Sequence, residues 1–228
     1  MMRKFWYIEM AKNKQTFVFD LDDTLYAEAN YVRSGKLVLA EIVQQLFGVD
    51  LNYEILKCSD DFIQLICEKI RMPEETQSSL LWAYRLHRPN IALRDGVTEC
   101  LEFVRSQGSS ICIITDGRSI TQRLKIAALN LNVDGIYISE ELGVEKPDPL
   151  AFKKVQEEWP GQEYFYVGDN ITKDFVAPNQ MGWTTIGLTR DEQAIHQIEA
   201  AVPQRYEPSL WVDTFSDLTS YLLNGRRT

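Results

Sequence analysis

Histidine and cysteine are both scarce in this chain: 228 residues carry two histidines and four cysteines. Cys58, Cys67, Cys100 and Cys112 form no C-x-x-C pair, so a zinc site is not expected. The plain reading is buried or idle thiols in a reducing compartment. Basic residues are outnumbered, 24 against 33 acidic ones, for a formal net charge of −9. That balance excludes a nucleic-acid backbone as the expected partner, because binding one needs a basic face. A single phosphate ester is not excluded, since one metal ion and one lysine handle it locally. No apolar run approaches the roughly 18 residues a membrane span needs, so no membrane association is expected. Near the start, Arg3, Lys4, Lys12 and Lys14 surround Phe5-Trp6-Tyr7-Ile8. This apolar piece is too short for a secretory signal and lacks a small-residue cleavage site. Residues 1–15 therefore read as an N-terminal extension of a cytoplasmic protein.

What is present is an ordinary globular composition, 45% hydrophobic and 25% charged. The length suits one mid-sized domain plus a smaller one. Thr16-Phe17-Val18-Phe19 is a short β-prone run that ends in acidic residues. From Tyr31 to Leu86 the apolar residues fall at helical spacing, with no strand signal, punctuated by Gly48 and Pro73. After Pro89 the pattern alternates. Helical stretches are predicted over Gly96–Ser106, Ser119–Leu129, Asp174–Met181 and Asp217–Leu223. Asp148-Pro149 reads as a further helix start. Strands are predicted at Ile111–Ile114, Ile136–Ile138, Tyr164–Val167 and Trp183–Leu188. Alternating strands and helices imply an α/β fold: a Rossmann-like, three-layer core around a parallel sheet. In such sheets ligands sit at the carboxyl ends of the strands.

Three of these strands run into polar residues: Phe19 into Asp20, Ile114 into Thr115, Val167 into Asp169. Asp20-Leu21-Asp22-Asp23-Thr24 sets two carboxylates one residue apart at a strand end; a lone pair in a loop is usually a turn or cap, but the apolar strand before this one and the Thr-Leu after it favour a functional role. The Thr115 hydroxyl and the backbone N–H groups of Asp116 and Gly117 suit phosphoryl oxygens, or else cap the next helix. Lys146, between Glu145 and the stiffening Pro147-Asp148-Pro149, is either a fixed point charge for phosphate or a solvated lysine. Asp169 is placed for a hard cation, with Asp174 behind it to orient Lys146; capping is again the alternative.

Taken in order, each after its own strand, these residues resemble the haloacid dehalogenase superfamily. Asp20, Asp22 and Thr24 match D-x-D-x-T. Thr115 matches the second motif, Lys146 the third, and Gly168, Asp169 and Asp174 match G-D-x-x-x-x-D. The likeness spans Phe17 to Leu188, and is specific for the superfamily rather than for a substrate. Two departures stand out: Asp116 where many relatives have Asn, and Phe175-Val176-Ala177-Pro178 where relatives have small residues.

The resemblance implies a phosphohydrolase dependent on Mg²⁺, acting on a small phosphorylated metabolite through an aspartyl-phosphate. Asp20 is then the nucleophile and Asp22 the acid–base group. Asp20, Asp169 and the backbone carbonyl of Asp22 hold the metal. Lys146, Thr115, Asp116 and Gly117 hold the phosphoryl group. A sugar phosphomutase and a non-catalytic phosphometabolite binder remain as alternatives. A dehalogenase needs neither Asp22 nor a metal, so the pair Asp22 and Asp169 favours phosphate esters. The helical stretch resembles the cap of subclass I members. It divides the chain into core (16–28 and 91–228) and cap (29–90), with Tyr26–Tyr31 as a hinge-side loop. Tyr31, Arg33, Lys36, Arg85 and His87 are candidates to face the cleft, each with solvated surface as its alternative. His87 and His196 show no partner in the sequence. The substrate and the oligomeric state stay open.

Overall fold

A computed structural model describes residues 15–51, 61–73, 75–161, 163–189 and 203–224. Cys58, His196 and the extension up to residue 14 lie outside the described residues.

Six parallel strands form one sheet in the order β3-β2-β1-β4-β5-β6. They are β1 (Gln15–Phe19), β2 (Ser110–Thr115), β3 (Gly135–Ile138), β4 (Glu163–Gly168), β5 (Thr184–Leu188) and β6 (Leu210–Val212). Alternation along β1 explains the layers. Phe17 and Phe19 point into one buried cluster, and Val18 into the other. The first cluster receives Val97, Cys100 and Val104 from helix α4 (Val97–Ser106) and Ile126 from α5 (Ser119–Ala128). Phe215, Leu218 and Leu222 join it from α9 (Phe215–Asn224). The second cluster takes Ala151, Phe152 and Val155 from α7 (Leu150–Glu158), with Phe175 and Trp183. A sheet covered on both faces buries most residues of its central strands, which is why they read as apolar runs.

Between β1 and α4 come α1 (Glu28–Phe47), α2 (Phe62–Ile70) and α3 (Thr76–Arg85). They share their own buried cluster, including Leu39, Val43, Phe62, Ile66 and Leu80. Helix α1 begins three residues before the expected helical stretch, because Asp23 Oδ1 accepts the Glu28 N–H at 2.8 Å. Tyr31 is therefore already inside the helix rather than in a hinge loop. Gly48 stops α1 in the left-handed conformation, at φ 67°. The chain leaves and re-enters the sheet side by side: Arg94 N–H donates to the Leu25 carbonyl at 2.9 Å, and its guanidinium to the Asp23 carbonyl at 3.0 Å.

Two elements escape the sequence pattern. Strand β6 is three residues long, and α6 (Ser139–Leu142) is a single turn; neither carries enough residues to set a period. The helix expected from Asp174 is shorter, α8 (Val176–Gln180). Pro178 sits in its first turn, where a backbone N–H has no partner to lose. Helix α7 starts at Leu150, whose N–H is capped by Asp148 Oδ1 at 2.9 Å. Among the described residues no helix is long and apolar enough to cross a membrane.

Candidate active site

The order of the sheet decides where chemistry can occur. Strand β1 lies between β2, which leads on to β3, and β4, which leads on to β5 and β6; the direction of winding reverses at β1 and β4. At such a switch point the loops part and leave a crevice. Asp20 follows β1 there, and its N–H continues the ladder to the Val167 carbonyl at 2.9 Å. Thr115 ends β2, and Asp169 follows β4. All three residues are buried.

The loop after β1 is a tight turn. Asp23 takes a positive φ of 55°, and Leu25 N–H returns to the Leu21 carbonyl at 3.0 Å. This carries the Thr24 hydroxyl under the carboxylates, 3.3 Å from Asp20 Oδ2 and 3.2 Å from Asp169 Oδ1. The loop after β2 brings in Lys146 indirectly. Asp116 Oδ1 accepts the Lys146 backbone N–H at 3.0 Å. The aspartate that departs from the family pattern thus anchors the lysine loop.

Lys146 Nζ donates to Asp20 Oδ1 at 2.5 Å, to Asp174 Oδ1 at 2.7 Å and to the Tyr166 hydroxyl at 3.2 Å. Burial opposes its charge, but Asp174 and Asp20 outweigh this and hold its pKa well above the ordinary lysine value. The other edge of Asp174 accepts the N–H groups of Asp169 at 3.2 Å and Asn170 at 2.8 Å. Asp20 is pushed well above the usual carboxylate range, first by burial; Lys146 opposes this, while Asp174 and Asp169 add to it.

Oxygens of Asp20, Asp169 and Asp174 lie within 4.8 Å of one another. Both oxygens of Asp174 are already committed to the lysine, the tyrosine and two backbone amides. Asp20 and Asp169 are the pair better disposed to a cation. The cavity around them, about 250 Å³, is lined by seven carboxylates (Asp20, Asp22, Asp23, Glu28, Asp116, Glu145 and Asp169) against Lys146 and Lys173. Two like charges at ~4 Å repel by about 4 kcal/mol at an effective dielectric near 20. A divalent cation relieves that repulsion, and an all-oxygen donor set suits a hard ion.

Asp22 lines the same cavity and is bonded to α5. Lys125 Nζ donates to its Oδ1 at 2.7 Å and Gln122 Nε2 to its Oδ2 at 2.6 Å, while the Tyr26 hydroxyl bonds Oδ1. Gln122 Nε2 also reaches Thr115 Oγ1 at 2.6 Å and the Asp116 carbonyl at 3.0 Å. The Gly117 N–H, expected to face phosphate, donates instead to Ser139 Oγ at 2.9 Å.

Sequence reasoning passed over Gln122, Lys125, Tyr166 and Glu28. The first two had a signal: α5 packs through Gln122, Lys125, Ile126 and Leu129, an i, i+3, i+4, i+7 core stripe with two polar members. Glu28 lines the cavity from the first turn of α1, and its pKa is raised to about 7 by burial, then by Asp22, with Lys125 opposing. None of Tyr31, Arg33, Lys36, Arg85 and His87 lines this cavity. Tyr31, Lys36 and His87 are buried rather than solvated: Lys36 Nζ sits 5.0 Å over the Phe62 ring, and the Tyr31, Tyr84 and His87 rings pack against one another edge-on or tilted. Lys36 packs α1 against Phe62 of α2, whereas Tyr31 belongs to the buried cluster under the sheet.

A parallel α/β sheet with acidic strand ends converging on a buried lysine defines the class, a Rossmann-like hydrolase. A family model described as haloacid dehalogenase-like hydrolase matches residues 14–182, and the chain belongs to that family. It is 33% identical to a glyceraldehyde 3-phosphate phosphatase of Pyrococcus furiosus, over 74% of this chain and 78% of the relative. It is 27% identical to a ribulose-1,5-bisphosphate 5-phosphatase of Halopiger xanaduensis, over 89% of this chain and 96% of the relative. In fold it is similar to a 2-haloacid dehalogenase of Pseudomonas syringae pv. Tomato DC3000, with a TM-score of 0.63 at 20% identity, covering 94% of this chain and 100% of that one.

Proposed function

We propose that this chain is a phosphoric monoester hydrolase that cleaves a small sugar phosphate, with Asp20 as nucleophile and Mg²⁺ as cofactor. The observation that carries the reading is the meeting of Asp20, Lys146, Thr115 and Asp169 at three adjacent strand ends. The phosphatase names of the relatives support it.

Asp20 attacks phosphorus and forms an aspartyl-phosphate. Asp22 gives its proton to the departing alkoxide and then takes one from the water that hydrolyses the acyl-phosphate. Lys146 and Thr115 hold phosphoryl oxygens; the Thr115 hydroxyl accepts from Gln122 Nε2 at 2.6 Å, and its long donation to the Asp116 carbonyl, at 3.4 Å, is readily redirected. Asp20, Asp169 and the Asp22 carbonyl are the groups that would hold Mg²⁺. When bound, the ion neutralises charge between carboxylate and phosphate. Asp174 fixes Lys146 from behind. The helical insert, residues 29–90, acts as a cap over the cleft, and its separate buried cluster supports treating it as a unit apart from the core (16–28 and 91–228).

The test is a sugar-phosphate panel with Mg²⁺, reading inorganic phosphate and isomer formation separately, on the wild type and Asp20→Asn. Phosphate release that disappears in the variant, with loss of acyl-phosphate trapping, is expected. Undiminished turnover by Asp20→Asn rejects the nucleophile. Isomer formation without phosphate release rejects the hydrolase in favour of a mutase.

A further inference from the structure

We propose that Gln122 and Lys125 on α5 are positioning residues that set where the Asp22 carboxyl points, and that Tyr31 of the insert braces Lys125. The inference rests on the reading of Asp22 as the acid–base group.

Lys125 is almost fully enclosed, with 4% of its side chain exposed. A lysine rarely sits so deep without a partner, and this one has two. Its ammonium lies 2.7 Å from Asp22 Oδ1 on one side and 4.4 Å over the Tyr31 ring on the other. Gln122 is equally buried, and its one amide nitrogen serves the loop after β1 through Asp22 and the end of β2 through Thr115. Two apolar residues at these positions would pack beside Ile126 and Leu129 with no cost of desolvating a charge. What the polar pair adds is direction. It fastens both oxygens of Asp22 to α5 and ties them to the strand end that flanks the phosphoryl position. The brace on Lys125 comes from α1, so displacement of the insert loosens Asp22. Misplacement of a reacting group by about 1 Å costs on the order of 10²-fold in rate.

The experiment measures single-turnover phosphoryl transfer from the best sugar phosphate of the panel and from p-nitrophenyl phosphate. The variants are Lys125→Met, Gln122→Leu, Tyr31→Leu and Tyr31→Phe, with Lys125→Arg as the conservative rescue. An alkoxide leaving group needs the acid and nitrophenolate does not. Lys125→Met is therefore expected to slow the sugar phosphate by roughly 10- to 100-fold, with KM little changed and the aryl ester nearly unaffected; Gln122→Leu, which also releases Thr115, slows both esters, the sugar phosphate more than the aryl one. Tyr31→Leu falls several-fold, Tyr31→Phe keeps the ring and the rate, and Lys125→Arg recovers most of the loss. In an Asp22→Ala background Lys125→Met has nothing left to act through, so the double variant is no slower than Asp22→Ala alone. Equal losses on both esters, or a further loss in the Asp22→Ala background, would mean that Lys125 merely supports the fold and would overturn the proposal. A wild-type enzyme that hydrolyses neither ester fails at the phosphatase reading itself and takes the proposal down with it.

Discussion

Asp174→Asn is an isosteric change, yet the hydrogen bonding at that position leaves the amide nowhere to go. Asp174 is fully buried. One of its edges accepts from the Lys146 ammonium at 2.7 Å and the Tyr166 hydroxyl at 3.1 Å. The other accepts two backbone N–H groups, those of Asp169 and Asn170. Asparagine has one accepting edge. Turned one way, its NH₂ meets the two backbone donors and leaves both unsatisfied, at about 1–3 kcal/mol each. Turned the other way, its NH₂ meets Lys146 and breaks half of a buried charge network, at about 3–5 kcal/mol. The cheaper arrangement still costs about 3 kcal/mol. In a protein of this size that lowers Tm by roughly 6–12 °C, at about 2–4 °C per kcal/mol. Urea denaturation followed by fluorescence and by circular dichroism, in EDTA, measures it without interference from a metal. A loss below ~1 kcal/mol with an unchanged m-value would refute the reasoning, since it would mean the four donors are not satisfied by Asp174. Mg²⁺ affinity, titrated on the same variant, should fall only modestly, because Asp174 is assigned to the lysine and not to the cation. A collapse in affinity would make it a ligand instead.

The other predictions concern the same pocket. Glu28 has a folded pKa raised to about 7 from an ordinary 4.5. The folded state therefore holds this proton more tightly than the unfolded one, and stability falls as pH rises from about 4.5 through 7. Glu28→Gln removes that penalty. In EDTA the variant should match the wild type near pH 4.5 and exceed it at pH 8, by at most about 3 kcal/mol; a variant less stable at pH 8 would contradict the assignment. Gly168→Ala would put a Cβ 2.5 Å from Asp174 Oδ2. The expected outcome is a loss of about 1–3 kcal/mol from overpacking, together with lowered kcat because Asp174 can no longer hold Lys146; an alanine variant with wild-type kcat and Tm would show that the turn yields freely.

The polar strand ends were legible because the chain announces them locally. A buried parallel strand reads as a short run of apolar residues, and Phe17-Val18-Phe19, Ile111–Ile114 and Tyr164–Val167 stop abruptly at Asp20, Thr115 and Gly168-Asp169. Hydrophobic period and the polar break after it are properties of adjacent residues, so sequence alone determined the α/β class and the helical insert, and the order of the motifs along the chain singled out the carboxylates and the lysine as candidates. Tertiary structure decided everything that depends on partners distant in the chain. Asp22 meets Lys125 and Gln122 across about a hundred positions, Asp174 has both edges filled, Asp116 anchors Lys146, and Glu28, rather than the basic and aromatic residues of α1 and α3, reaches the cavity. Local propensity fixes which face of an element is apolar, but it holds no information about which polar group on a neighbouring element will stand opposite, because that depends on how the layers pack.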